Sequence, residues 1–349
     1  MSNYTNIKIW KYKIVINKKY LKVISLLTLV LISLAILSLG MGQMKIWPQD
    51  VIKALFGYGE YMHDLTVNDF RMPRILLSIL AGAGLAMSGA ILQGIIRNPL
   101  ASPDIIGITA GAALSTVGFL VAFSDRSQAL TVSIHWLPFA SLVGAVLMGI
   151  FVYILATTKN GVQPIKLVLI GVGLSAAVEA VTTMLMTFGP IHTAARANIW
   201  LTGSVNGTNW PEIATVTPWI LGLTILLFFF ISQLNMQSLG DDLATNAGAT
   251  VQKDRLILLV LATALAGGSV AFAGGIGFVG LMAPHIAKRL VGSVFGALIP
   301  VSALIGAIIV VIADLIARTA FAPQDLPAGV FTSLIGAPYF IYLLFKTRK

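Results

Sequence analysis

Long apolar runs recur along the chain, each parted from the next by a short polar link. Apolar runs of about 20 residues match a helix that crosses a bilayer. The pattern predicts ten helices, at 23–42, 72–96, 104–124, 136–157, 166–188, 210–234, 254–274, 276–290, 295–319 and 327–346. The eighth is too short to span unaided, and Pro and Gly break up the segments around it, so half-helices are expected there. Such breaks are tolerated where backbone is buried in protein or lines a cavity. A basic, polar tail (1–22) precedes the first run, which lacks a small-x-small cleavage pattern and reads as a retained helix. Residues 23–349 read as a single all-α membrane domain.

The segment Phe70–Leu114 is the most informative. Arg71 and Arg74 stand at the mouth of an apolar helix rich in Gly, Ala and Ser, which ends at Asn98-Pro99 before a second apolar helix starts. Small residues let membrane helices approach closely. The segment recurs in degraded form. A shift of 185 puts Ala81, Gly82, Ala86, Gly89, Ile91 and Pro99 on Ala266, Gly267, Ala271, Gly274, Ile276 and Pro284. The two copies run across the membrane in opposite directions, so helices 2–5 (about 70–188) and 7–10 (about 254–346) form an inverted repeat. Transporters use that architecture, with the pathway between the halves.

Composition agrees. Of 349 residues, 57% are hydrophobic and 10% charged, against about 25% charged in soluble domains. The net charge of +10 does not require a nucleic-acid partner. With the N-terminus inside, sixteen Lys and Arg fall on the cytoplasmic side: the six of the tail, Arg97, Lys159, Lys166, Lys253, Arg255, Lys288, Arg289, Lys346, Arg348 and Lys349. Seven fall outside: Lys45, Lys53, Arg71, Arg74, Arg126, Arg196 and Arg318. Cytoplasmic loops carry the positive excess, so both termini are expected inside the cell membrane.

Several chemistries lack their residues. There is no cysteine, hence no disulfide, thiolate metal site or lipidated Cys. No Gly-Lys dipeptide exists, so there is no phosphate-binding loop of the G-x-x-x-x-G-K type. His63, His135, His192 and His285 are scattered, which argues against a metal site or an embedded hydrolase. No cofactor is expected.

Other positions carry candidate roles. In the loop 239–249, Asp241 and Asp242 suit a helix N-terminus and Gly248 a C-terminal cap. With Gly240 and Ala244 they predict a short cytoplasmic helix presenting small residues to a partner's groove, or else an ordinary linker. Arg71 and Arg74 share a helix face, and Arg318 ends the ninth helix on the same side. They offer a docking surface for acids of an extracytoplasmic partner, or contacts to lipid phosphate. For Arg126 and Arg196 the lipid reading is preferred. Asp314 is expected to pair with Arg318 at i, i+4. Glu179, an acid inside a span, lines the pathway, carries protons in a secondary transporter, or is a packing residue.

Four blocks in order resemble the FecCD family of permeases, the membrane subunits of ABC importers for iron-siderophores, haem and vitamin B12: residues 71–114, AGGIGFVGLMAPHIAKRLVG (273–292), ADLIAR (313–318) and LPAGVFTSLIGAPYFIYLL (326–344). The resemblance implies a non-catalytic ten-helix subunit that pairs with a second permease, identical or homologous. Two cytoplasmic ATPases bind below, and a binding lipoprotein that captures the chelate docks above. It implies that Arg71, Arg74 and Arg318 receive glutamates of the binding protein, and that Leu239 to Ala249 couples to the ATPase. Asp241-Asp242 fits the acidic-acidic or acidic-apolar pair usual there, whereas Asn246-Ala247-Gly248 departs from the family, in which a bulkier residue often precedes the Gly. An iron-siderophore is the expected cargo. The repeat's helix breaks are expected at Asn98-Pro99 and at Pro284-His285. The main rival is an ion-driven secondary transporter with Glu179 as its coupling acid.

Overall fold

The computed structural model describes residues 4–9, 12–124, 131–158, 161–189 and 191–346. Lys11, Arg126, Lys159, Arg348 and Lys349, which enter the charge asymmetry, lie outside them. Within the tail, β1 (Tyr4–Ile9) pairs antiparallel with β2 (Tyr12–Asn17), an element the sequence reading did not include. Asn17 then caps α1 (Lys18–Gly40), its side chain accepting from the Lys19 N–H at 2.9 Å.

Short helices α2 (Pro48–Leu55) and α3 (Tyr61–Asp64) and a π-helical turn (Leu65–Arg71) lead into α4 (Met72–Ile96). The first half continues with α5 (Pro103–Ile106), α6 (Ile108–Ala122), α7 (Leu137–Ala156), a two-residue hairpin of β3 (Thr157–Thr158) and β4 (Gly161–Val162), and α8 (Pro164–Phe188). The connection holds α9 (Ile191–Thr202), α10 (Trp210–Phe229), α11 (Ile231–Ser238) and α12 (Asp241–Asn246). The second half is α13 (Val251–Ala273), α14 (Val279–Val291), α15 (Phe295–Thr319) and α16 (Ala328–Lys346).

Each of the ten expected helices has a counterpart. Among the described residues, seven segments are long and apolar enough to cross a membrane, and α6, α14 and Ala328–Leu343 are shorter. The chain is therefore a multi-pass membrane protein. The expected third helix is split in two. Gly107 takes φ +87 between α5 and α6, and a Cβ there would collide with Met148 and Ser175. The sixth is split at Phe230, which separates α10 from α11.

The core is built on α4, α13 and α15, which are mostly buried; α1, α8 and α10 are mostly exposed. Packing exchanges partners between the halves. In the first, α4 packs on α14 and α15 of the second; in the second, α13 packs on α6 and α7 of the first. A two-fold relation between halves requires this exchange. Glycines set the distances. A Cβ on Gly82 would overlap the Gly306 backbone on α15, and one on Gly306 would overlap Gly82. Gly267, which the 185 shift equates with Gly82, faces Ala145 of α7, whose Cβ would lie 3.1 Å from an added one. Gly84 stands against the Ser269 side chain, its own counterpart under the shift, so the pseudo-axis passes between them.

The breaks are not alike. The first is where it was expected: α4 stops at Ile96, Arg97 turns left-handed (φ 55), and the Asn98 side chain accepts from the Leu100 N–H at 2.9 Å. The second is not at Pro284-His285, because α14 runs unbroken through both; it lies at 274–278, where Gly274 and Phe278 take φ +69 and +66. Pro284 has no N–H to give the carbonyl four residues back. That carbonyl, of Gly280, instead abuts Gly89 of α4, which has no side chain to obstruct it. The proline thus serves the packing of α14 on α4 without ending the helix.

Candidate functional site

Both ends of the bundle, and the cavity between the two breaks, carry polar side chains that packing alone does not explain. At one end, the π-helical turn and the first turn of α4 bring Arg71 and Arg74 beside Arg318 in the last turn of α15. The three line one open cleft of about 440 Å³ with Gln43, Asn206 and Asp325. Their heads are not displayed as a free basic surface: Arg71, Arg74 and Arg318 are 6%, 8% and 6% exposed. Arg71 donates to the carbonyl oxygens of Leu39 and Met44. Arg318 donates to the Met41 carbonyl at 2.8 Å and to Ser38. Both thereby cap the end of α1, whose last carbonyls lack helical partners.

Asp314 was expected to pair with Arg318, and its Oδ2 lies 3.6 Å from Arg318 Nε. Its closer partner is Arg74, whose Nε donates to Oδ1 at 2.8 Å. Arg74 Nη1 also reaches Asn206 Oδ1 at 3.0 Å and Asp325 Oδ2 at 3.2 Å. A buried guanidinium needs several such acceptors. Asp325 and Asn206 lie in loops without a motif, so nothing in the sequence marks them. Arg196 is exposed on α9, away from this cleft.

At the opposite end, α12 begins with Asp241 and Asp242, behind Gly240 at φ +114, and is followed by Gly248 at φ +88. Asp241 is clamped. Arg255 Nη2 donates to its two oxygens at 2.8 and 3.0 Å, and Arg97 pairs with Oδ1. Arg255 also donates to the Val162 carbonyl at 2.9 Å, and the Gln252 side chain accepts from the Val162 N–H at 3.0 Å. Ala244 is fully buried and faces its own bundle, so it is not among the residues on show. Exposed instead are Asp242, Leu239 and Leu243. A short helix must seat one face, and the smallest side chain permits the closest seat.

The third feature is a cavity of about 660 Å³ where the two breaks meet α8 and α16. Glu179 lines it, on the exposed face of α8. So does Asp104, which accepts from Thr109 Oγ1 at 2.6 Å and from the Phe278 backbone N–H. Asp104 thus ties the first break to the second. The sequence offers a signal for it: Ser102-Pro103-Asp104 is a helix start, and Ser102 Oγ accepts from the Ile105 N–H at 3.4 Å. His285 lies against Tyr339 edge to face, ring centres 6.0 Å apart.

A helical bundle with exchanged halves and a polar assembly at each end defines a membrane transport subunit. The model of the FecCD transport family matches residues 29–346, and the chain belongs to that family. It is 55% identical over 90% of its length to YfhA of Bacillus subtilis (strain 168), assigned as a siderophore transport system permease protein, 91% of which is covered. It is 44% identical over 95% of its length to the Fe(3+)-citrate import system permease protein YfmE of the same organism, 97% of which is covered. Among solved structures it is similar to an inward-facing conformation of a transporter assigned to the metal-chelate ABC type. That match has a TM-score of 0.81 at 29% identity, covering 94% of this chain and all of that one.

Proposed function

We propose that this chain is the permease subunit of an ABC importer that admits an iron-siderophore chelate. The family and the relatives' names support the class of cargo. The observation that carries the reading is the pairing of two polar assemblies at opposite ends of one bundle: the Arg71–Arg74–Arg318 cleft and the clamped helix α12. The cleft end faces outward and receives carboxylates of a binding lipoprotein. The α12 end, together with both termini, faces the cytoplasm. There Leu239, Asp242 and Leu243 meet an ATPase, which alone hydrolyses ATP. A second permease, identical or homologous, packs against the exposed faces of α8 and α16 and completes the pathway beside Glu179. ATP closes the ATPase pair, α12 carries that movement into the bundle, and the pathway changes its open side. Nothing covalent happens in this chain.

Crosslinking in native membranes, then purification of this chain and mass spectrometry, tests the assembly. Recovery of a nucleotide-binding ATPase, an extracytoplasmic binding protein and a permease is the expected result. Recovery of this chain alone, with crosslinking verified on a known complex, would overturn it in favour of an ion-driven transporter.

A further inference from the structure

We infer that the pathway of this permease discriminates by charge, passing ferric chelates that are neutral or cationic and retarding anionic ones, with Glu179 as the discriminating residue. The inference rests on the importer reading and adds to it the net charge of the chelate. Membership of the family leaves that charge open, since a relative at 44% identity is named for ferric citrate.

Three observations carry it. First, among the described residues the cavity where the helix breaks meet α8 and α16 is lined by two carboxylates, Glu179 and Asp104, and by no Lys, Arg or His. Second, Glu179 stands inside a span, about 14 Å along the helix from Phe188 at 1.5 Å per residue. Its side chain makes no hydrogen bond or ion pair among the described residues; the neighbouring Thr183 hydroxyl donates to its backbone carbonyl instead. An acid at that depth without a partner is retained where water or a passing solute reaches it, and not against lipid. Third, the remaining polar groups are already engaged. Thr109 donates to Asp104, the Thr182 and Thr183 hydroxyls donate to carbonyls of their own helix, and Ser102, nearly fully buried, accepts from the Ile105 N–H. The free group met by a solute is therefore the Glu179 carboxylate, between aromatic and aliphatic side chains such as Phe278, Leu281 and Phe340.

Chelate chemistry supplies the contrast. Three singly charged hydroxamates cancel the charge of ferric iron, and a pendant amine makes the complex cationic. Citrate and catecholate ligands leave surplus negative charge. In a confined, partly desolvated passage like charges repel more strongly than in bulk water, and a second copy of the same helix across the pathway would double the effect.

The test uses the assembled importer and one iron core in three forms: a linear ferric trihydroxamate with a free terminal amine, its acetylated form and its succinylated form. They are cationic, neutral and anionic, with the same coordination shell for the binding protein to grip. Uptake ratios are compared between the unsubstituted importer, Glu179→Gln, Glu179→Lys and Thr183→Asp, each checked for membrane yield and monodispersity. Taking the ratio within each variant cancels preference by the binding protein. The expected result is a fall in the cationic-to-anionic ratio on the order of tenfold in Glu179→Lys, a smaller fall in Glu179→Gln and a rise in Thr183→Asp. Ratios unchanged in all three variants overturn the inference while the importer reading stands. Uptake of none of the three forms by the unsubstituted importer also overturns the inference, while the importer reading is decided separately by recovery of its partners on crosslinking.

Discussion

Arg74 and Asp314, 240 positions apart in sequence, meet at 2.8 Å in the buried floor of the arginine cleft and join α4 to α15. Asp314 is 1% exposed and also faces Arg318, so one carboxylate serves two guanidinium groups. Breaking a buried pair on one side leaves an uncompensated charge, which costs about 3–5 kcal/mol. Asp314→Ala is expected to lower the stability of the purified chain in detergent by that order, read as a lower unfolding midpoint. An unchanged midpoint would show that the pair is incidental.

Asp325 behaves differently. Its side chain is 32% exposed and holds only the outward nitrogen of Arg74. Exposed pairs contribute about 0–1 kcal/mol, so Asp325→Asn is expected to leave the midpoint nearly unchanged. A docking carboxylate would have to displace this side chain. Asp325→Asn should therefore tighten binding of the cognate binding protein severalfold, as read by surface resonance on nanodiscs. Weaker binding would mean that Asp325 is itself part of the docked interface.

Arg71→Glu together with Arg74→Glu is expected to abolish uptake while the chain still reaches the membrane. Both residues also hold internal acceptors, so yield and a detergent elution profile must accompany the assay. Normal uptake by the double variant would refute docking through this cleft.

Packing across the pseudo-axis gives a steric prediction. At Gly89 an added methyl would overlap the Gly280 carbonyl, whereas at Gly118 it meets open space. Overpacking a tight core costs typically about 1–3 kcal/mol, and a helical Gly→Ala change in open space gains up to about 1 kcal/mol. Gly89→Ala should lower the unfolding midpoint and Gly118→Ala should hold or raise it. The reverse order would mean that the close approach is relaxed in the assembled complex.

At the other end, Leu243→Asp is expected to prevent recovery of the ATPase with this chain, since Leu243 is exposed and apolar on α12. Asp241→Ala should leave that recovery intact and cut uptake by about tenfold, because it loosens α12 from Arg97 and Arg255 without altering the exposed face. Equal loss of ATPase recovery in both variants would place Asp241 in the interface.

Much of this arrangement was legible in the apolar pattern. Apolar runs located the ten helices, because membrane span length leaves little freedom. Gly82 and Gly267 matched under the shift because each must sit where two helices nearly touch. The same shift misled at Pro284, which equates with Pro99 in number only. Pro99 follows a helix end, whereas Pro284 lies inside α14 and frees a carbonyl to pack on Gly89. A proline's role depends on what its unpaired carbonyl finds, and one strand of sequence does not show that. The burial of Ala244 was hidden for a like reason. A short helix has two faces, and its composition does not say which one is seated.

The clamp on Asp241 has a mechanical consequence. Arg97 follows the end of α4 and Arg255 lies near the start of α13, the two helices that flank the pseudo-axis. Under the coupling proposed above, a load applied to α12 would arrive at two levers through one pin. Levers on opposite sides of an axis would turn that push into a twist of the halves against each other.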